Sequence, residues 1–144
     1  YHYFHPDVPV NEQIENFMQI ITSYPQDLVP AIDIEESGDM SPQEVCDSVA
    51  CFAARLQELW HALPLIYTHQ KFYNDYLQDN FNKYPLWIAR YGFFFFKPYP
   101  SLDDKRMPAL WQYSNRGKVD GIKGRVDLNT LCGNIKLYDL KLVK

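Results

Sequence analysis

The sequence lacks an excess of basic residues. Its 14 Lys and Arg are outnumbered by 18 Asp and Glu, which gives a formal net charge of -4 at pH 7. A nucleic-acid groove needs a basic surface, so we expect no nucleic-acid partner. The sequence also contains no phosphate-binding loop, no G-x-G-x-x-G and no H-E-x-x-H pattern. Without these motifs, neither a nucleotide-binding function nor a zinc-protease function has support.

Long hydrophobic runs and paired cysteines are also missing. The run Phe93–Phe96 is far too short to cross a bilayer, and no basic start followed by an apolar stretch indicates a signal peptide. The three cysteines are an odd number without zinc-type spacing. Cys46 and Cys51 lie on a predicted helix, where their separation is poor geometry for a disulfide. We therefore predict no membrane span, and the cysteines leave the compartment open.

Aromatic residues, in contrast, are abundant. They make up 16% of the 144 residues, with 11 Tyr, 9 Phe and 3 Trp. This share is typical of either a dense core or a cleft that stacks on sugars. A chain of this length can bury a real core, so we predict a single domain over residues 1–144.

The most informative segment is the apolar run Val29–Glu36, which predicts a buried strand that ends in carboxylates. Side chains alternate along a strand, so Asp33 and Glu35 share one face. Ile32 and Ile34 then face the opposite way. Ionised neighbours repel and burial penalises charge, so we expect one of the two acids to hold a proton near neutral pH. Glycoside hydrolases use such a pair of carboxyl groups to cleave their substrates. The alternative is that both acids are merely solvated or cap the next helix.

Strands and helices are predicted to alternate along the early part of the chain. Residues 41–44 form a capping box with Pro42 at the first helical position, and Asn11 is the expected N-cap of an earlier helix. Strand, helix, strand order means parallel pairing, so we predict an α/β fold that becomes richer in strands towards its C-terminal end. The predicted strands cover residues 1–5, 29–36, 63–68, 84–91, 109–114 and 124–129. The predicted helices cover residues 10–24, 41–63 and 69–77. Residues 92–108 are predicted to form a loop, residues 115–117 a turn, and residues 135–144 an edge strand or a tail.

Several polar side chains fall at the carboxyl ends of predicted strands, where α/β folds place their working residues. They are Asp33, Glu35, Tyr67 and Asp127. A Ca²⁺ site is an alternative for the first two, but such sites gather about six or more oxygen ligands and the sequence has no dense acidic loop. We therefore expect no metal and no cofactor.

Seven short motifs follow one another along nearly the whole chain: Tyr1-His2-Tyr3-Phe4, Ala31-Ile32-Asp33-Ile34-Glu35, Leu65-Ile66-Tyr67-Thr68, Pro85-Leu86-Trp87-Ile88-Ala89-Arg90-Tyr91, Trp111-Gln112-Tyr113-Ser114, Gly121-Ile122 and Val126-Asp127-Leu128-Asn129. Each motif alone is weak. Their joint order and approximate spacing resemble glycoside hydrolase family 25, the family of the Chalaropsis-type and phage lysozymes that cleave peptidoglycan.

The resemblance implies an irregular, flattened, TIM-like β/α barrel with N-acetylmuramidase activity. Such an enzyme hydrolyses the β-1,4 bond from N-acetylmuramic acid to N-acetylglucosamine. By position, Glu35 corresponds to the proton donor, and Asp33 to the partner that steers the N-acetyl group or stabilises positive charge. Asp127 corresponds to an acid on the last barrel strand, with a role as nucleophile or as electrostatic support.

The resemblance also implies a cleft, a partner and a location. The partner is the glycan strand of peptidoglycan, and the location is secreted or associated with the cell envelope. Alternation alone does not decide which aromatic side chains face the cleft, and for Tyr67, Trp87 and Tyr113 the alternative is core packing. The side chains expected to line the cleft are Tyr3, Tyr67, Trp87 and Gln112.

One departure from the family pattern stands at the start of the chain. The family carries another acid in a first-strand segment like G-I-D-V-S, and nothing before Tyr1 matches it, so we expect a domain that is incomplete at its N-terminus. A non-catalytic carbohydrate-binding barrel is the alternative function, although three retained acids argue against it. A chitinase-like D-x-E hydrolase is a second alternative, which the ending Trp111–Asn129 disfavours. Lys118, Lys123 and Arg125 form either a solvated basic edge or a contact with an anionic wall polymer.

Overall fold

The computed structural model describes residues 1–92 and 98–142. Within these residues, strands alternate with helices as far as the fourth strand, and the fifth and sixth strands then follow with no helix before either of them. The run Phe93–Phe96 lies outside the described residues. The strands are β1 (His2–Tyr3), β2 (Ala31–Asp33), β3 (Leu65–His69), β4 (Leu86–Ala89), β5 (Leu110–Gly117) and β6 (Val126–Leu131). The helices are α1 (Val10–Ile21), α2 (Pro42–Trp60), α3 (Gln70–Phe72), which continues as a π-helix (Tyr73–Leu77), and a 3-10 helix (Leu137–Leu140).

The six strands form one sheet in the order in which they occur along the chain. Strands β1 to β5 are parallel, and β6 runs antiparallel to β5. Parallel strands need a crossover between them, which α1 and α2 supply for the first three strands. The predicted α/β class with a strand-rich C-terminal end is therefore confirmed. Among the described residues, no strand pairing joins β6 to β1, so the sheet is open between these two strands.

Helix α2 begins where the sequence predicts. The Ser41 N–H donates to Glu44 Oε2 at 2.8 Å, and the Glu44 N–H donates to Ser41 Oγ at 3.4 Å, which completes the capping box. Pro42 occupies the first helical position, where its missing N–H costs nothing. Within the described ranges, no helix is both long and apolar enough to cross a lipid bilayer.

The main core lies between the sheet and the helices. Ile32 and Ile34 are fully buried in it, whereas Asp33 between them is only partly buried, which confirms the predicted alternation at the end of β2. One face of α2 is apolar and packs into the same core. The fully buried residues of this face are Val45, Val49, Phe52, Ala53 and Leu56.

The long connection between β4 and β5 has no helix over its described residues 98–108, as predicted. Side chains hold it against the preceding segment instead. The Arg106 guanidinium donates to the carbonyls of Phe81 at 3.0 Å and Tyr84 at 2.8 Å. The Tyr73 hydroxyl of the π-helix donates to Asp104 Oδ2 at 2.5 Å. These bonds replace the packing that a crossover helix would supply.

Three local predictions are wrong. Helix α1 begins directly after Pro9 with no side-chain cap, so Asn11 is not its N-cap. The predicted turn 115–117 is part of β5, because pairing with β6 continues past two register shifts to the pair Gly117 and Val126. Residues 135–142 form neither a regular edge strand nor a free tail: after the 3-10 helix, Lys141 bridges Leu28.

Gly117 lies where β5 and β6 approach each other too closely for a side chain. A Cβ built at this position would lie between 2.4 and 2.8 Å from carbons of the Leu128 side chain. We expect Gly117→Ala to lower the free energy of unfolding by about 1–3 kcal/mol, because Leu128 or the strand must move. Urea denaturation measures the change. Asn115→Ala, at an exposed position of the same strand, is the control and should stay within about 0.5 kcal/mol of the parent; equal effects of the two variants would contradict the prediction.

Candidate functional site

Five neighbouring strands each contribute one side chain to a single cavity at the carboxyl edge of the sheet. Its volume is about 110 Å³. Register places Asp33 beside Tyr67 and Tyr67 beside Trp87, so strands β2, β3 and β4 present one row of side chains to the cavity. The lining residues are Tyr1, Asp33, Tyr67, Trp87, Gln112 and Asp127.

Asp33 is the half-buried acid of this cavity. Its Oδ1 is buried, and within the described part of the chain it has no hydrogen-bond partner. Burial, followed by the negative charge of Glu35, raises the pKa of the Asp33 carboxyl to about 7. Asp33 is therefore the member of the pair that holds a proton near neutral pH, as the sequence led us to expect of one of the two.

Glu35 and Tyr3 lie next to Asp33 but outside the lining of the cavity. Glu35 follows β2, is partly buried, and acts electrostatically on Asp33 and on the cavity residue Tyr67. Tyr3 pairs with Asp33 across β1 and β2. Burial and the charges of Glu36, Glu35 and Asp33 raise the pKa of the Tyr3 hydroxyl. Both side chains therefore belong to the acidic end of the site.

Gln112 joins two tyrosines inside the site. Its side chain is only 3% exposed, and its Oε1 accepts hydrogen bonds from the Tyr67 hydroxyl at 2.8 Å and from the Tyr91 hydroxyl. The sequence predicted Gln112 at the cleft, where it lies, but did not predict these bonds. Gln112 thus fixes the positions of two phenols as well as lining the cavity.

Tyr91 is a site residue that sequence reasoning did not select. Its pKa is raised by burial, and the charges of Asp127, Glu35 and Asp33 act in the same direction, which places its hydroxyl within the field of all three acids. The sequence contained a signal for Tyr91: strand alternation places Trp87, Ala89 and Tyr91 on one face, and Trp87 was already expected at the cleft.

Trp87 and Asn129 close the wall between β4 and β6. The Trp87 indole N–H donates to Asn129 Oδ1 at 2.8 Å. The Trp87 ring meets the Tyr67 ring edge to face, with centroids 4.9 Å apart. Asp127, two residues before Asn129, is exposed at the rim of the cavity. The acids Asp33 and Asp127 therefore reach the same cavity from β2 and β6.

Metal ligation finds no support within the described ranges, where no group of three or more His, Cys, Asp or Glu side chains is placed to hold an ion. The site can instead supply a proton, negative charge and aromatic surface. These are the groups that cleavage of a glycosidic bond uses.

Removing the shared acceptor of the two tyrosines should destabilise the site. We expect Gln112→Met to lower the free energy of unfolding by about 1–3 kcal/mol, because the buried Tyr67 hydroxyl loses the Gln112 carbonyl as its acceptor. In a double-mutant cycle with Tyr67→Phe, the two costs should not add, since the second change removes the unpaired group. Urea denaturation of the four proteins measures the coupling, and strictly additive costs would show that the bond stabilises nothing.

Comparison with known proteins identifies the family. The model of "Glycosyl hydrolases family 25" matches residues 1–122. The chain belongs to this family. It is also similar to the "Autolytic lysozyme" of Clostridium acetobutylicum, with 34% identity over 130 residues that cover 90% of this chain and 37% of that protein. The family resemblance inferred from the seven motifs is thus confirmed.

The chain is also similar to a second curated protein and to a solved family 25 structure. The chain is 34% identical over 136 residues to "Uncharacterized protein YegX" of Escherichia coli (strain K12), covering 94% of this chain and 48% of that protein. The structure of a family 25 glycosyl hydrolase from Bacillus anthracis superposes with a TM-score of 0.80 at 28% identity, covering 99% of this chain and 67% of that one. The predicted fold class is confirmed by this likeness. The chain spans about half the length, or less, of the curated relatives named here.

Proposed function

We propose that this chain is the catalytic part of a lysozyme-type hydrolase that cleaves the β-1,4 bond between N-acetylmuramic acid and N-acetylglucosamine in peptidoglycan. The observation that carries the proposal is the Asp33 carboxyl, whose pKa is raised to about 7 beside Glu35 in a cavity that Asp127 also lines. Membership of glycosyl hydrolases family 25 supports the same reaction class. The proposed site of action is the cell wall, reached by a secreted or envelope-associated protein.

The carboxyl pair provides the acid for bond cleavage. Asp33 and Glu35 interact electrostatically, so their proton belongs to the pair rather than to one residue. In the proposed reaction, Glu35 gives this proton to the glycosidic oxygen as the bond from the anomeric carbon to that oxygen breaks. In the resting site Asp33 holds this proton; Asp33 passes it to Glu35 and becomes a carboxylate, so both acids are ionised once Glu35 has protonated the leaving oxygen. The leaving sugar departs as a neutral alcohol.

The second half of the reaction uses the substrate's own acetamido group. Its carbonyl oxygen attacks the anomeric carbon to form a cyclic oxazolinium ion, and Asp33, ionised at this stage, orients the acetamido N–H. Asp127 supplies negative charge near the developing positive charge from the opposite side of the cavity. Water then attacks the anomeric carbon and opens the oxazolinium ring. It gives one proton to Glu35, which restores the acid, and the product has retained configuration.

The aromatic wall positions the sugar. Tyr67 and Trp87 meet edge to face and are held by Gln112 and Asn129 through their polar atoms. A rigid wall of this kind loses little entropy when a sugar packs on it. We therefore assign to Tyr67, Trp87 and Gln112 the task of holding the glycan, and to Tyr3 a contact at the acidic end.

The decisive experiment is the release of muropeptides from purified peptidoglycan. Products are reduced with borohydride and analysed by mass spectrometry, with buffer and a heat-treated sample as controls. Reduced muramic acid ends are the expected result. Reduced glucosamine ends would assign a different bond. A protein that sediments with the wall and releases nothing would be a binding barrel, and the catalytic proposal would fail.

A further inference from the structure

The connection between β5 and β6 carries a concentration of positive charge that the proposed reaction does not use. We call residues 116–125 the basic hairpin. Its one acidic residue is Asp120, against four cations in a chain of net charge -4. All four cations are exposed, and none forms an ion pair with another described residue. The four are Arg116, Lys118, Lys123 and Arg125.

The sheet places the basic hairpin at the edge that holds the cavity. Strand β5 is parallel to β4, so its last residue, Gly117, lies at the carboxyl edge. Gly117 pairs with Val126, the first residue of β6. The next residue, Asp127, already lines the cavity. The basic hairpin therefore extends beyond the carboxyl edge from a base that is one residue away from the cavity wall.

The tip of the basic hairpin stands in open space. Gly121 and Gly124 have φ values of 86° and 109°, and a Cβ built at either glycine would meet no atom within 4 Å. A turn bond from the Ile122 N–H to the Val119 carbonyl, 3.1 Å long, shapes the tip. The exposed cations of the basic hairpin are therefore accessible to a ligand that extends out of the cavity on this side.

Peptidoglycan offers such a ligand through its own chemistry. Each muramic acid carries a peptide stem on its lactyl group, and the stem ends in carboxylates. A glycan held between Asp33 and Asp127 would send that stem out over the rim. We propose that the basic hairpin binds the carboxylates of the peptide stem on the muramic acid that occupies the cavity, an inference that rests on the proposed function.

The test compares two soluble substrates that differ only in the stem. One is a short oligomer of N-acetylglucosamine and N-acetylmuramic acid with intact stems, and the other is the same oligomer after an amidase has removed them. For the triple variant Lys118→Gln, Lys123→Gln, Arg125→Gln, KM on the stem-bearing oligomer should rise about threefold to tenfold, because exposed ion pairs are individually weak. Its kcat should not change, and on the stripped oligomer it should equal the parent. The difference should shrink at high salt, where charges are screened within about 3 Å.

A matched control removes three cations from the opposite edge. Arg55 lies near the C-terminal end of α2, and Lys83 precedes β4. Lys141 forms a β-bridge with Leu28, which precedes β2. The variant Arg55→Gln, Lys83→Gln, Lys141→Gln has the same net charge as the hairpin variant and should keep the parental KM on both oligomers. Thermal unfolding of both variants monitors folding.

Each other outcome overturns a specific claim. If the parent cleaves neither oligomer, the proposed function fails. If the parent cleaves both and the hairpin variant matches it on stem-bearing oligomers, the inference fails while the function stands. Equal loss on both oligomers would mean that the hairpin contacts the glycan. A defect seen only on walls that still carry phosphodiester polymers, and absent after hydrofluoric acid extraction, would assign the surface to those polymers instead.

Discussion

Replacing Glu35 by glutamine is expected to lower kcat on peptidoglycan by about two to four powers of ten, the usual range for loss of a general acid. The amide cannot give a proton to the leaving oxygen, whereas its shape and its place after β2 are nearly those of the acid. KM should change little, because the side chains that line the cavity and hold the sugar are unchanged. Release of reduced muropeptides under single-turnover conditions measures the loss.

The neighbouring residue offers a matched control for this variant. Glu36 is exposed, and its carboxylate lies 3.7 Å from His5 Nδ1. Glu36→Gln removes the same charge one residue away and should keep activity within about twofold, since surface ion pairs contribute little. Equal losses in both variants would mean that net charge, rather than proton donation by Glu35, supports catalysis.

Replacing Asp33 by asparagine should have opposite effects on activity and on stability. Activity should fall by about two powers of ten or more, because the pair loses the group that stores its proton and orients the acetamido group. Stability at pH 8 should rise, because the native state no longer holds a half-buried carboxylate. Few other positions in the site should show this combination, which is typical of a strained catalytic group.

The pH dependence of that gain follows from linkage. The pKa of Asp33 is raised from its ordinary value of 3.8 to about 7 in the folded protein. Between about pH 4 and pH 7 the native state thus binds more protons than the unfolded state, so the parent loses stability as pH rises through this window. The variant does not titrate there. Its advantage should be absent near pH 4 and, after allowance for solvent screening of a half-exposed group, reach about 1 kcal/mol above pH 7.

Urea denaturation at pH 4, 6 and 8 measures this difference between parent and variant. Asp39→Asn, at an exposed position in the loop before α2, is the control and should show no such pH dependence. A constant difference between Asp33→Asn and the parent at all three pH values would contradict the raised pKa. A gain that grows towards pH 4 would contradict its sign.

Features that depend on neighbouring residues were predictable from the sequence. The capping box at Ser41 and Glu44 needs only four residues, and its hydrogen bonds form as expected. The alternation that turns Asp33 away from the core while burying Ile32 and Ile34 is a property of any strand. The parallel order follows from helices between strands. These signals were sufficient for the fold class and for the position of Asp33 on the cavity side of β2.

Features that depend on distant pairing were not predictable. The segment 115–117 has turn chemistry, yet β6 pairs with it and keeps it extended. The hydrogen bonds of Gln112 with Tyr67 and Tyr91 join three strands. The choice of Asp33 as the acid with the raised pKa depends on its burial, which alternation alone does not quantify.

The order of the strands in the sheet has a consequence for how the protein forms. Each strand pairs with its neighbour in the sequence, so the sheet can grow in the order of the chain, although each parallel pairing must first close a long crossover connection and such non-local pairing is slow to form. A chain emerging from the ribosome can add β2 to β1 and then each later strand in turn. Asp127 arrives only with β6. The nascent chain therefore cannot bring Asp127 to the cavity that Asp33 lines until the last strand of the sheet is in place.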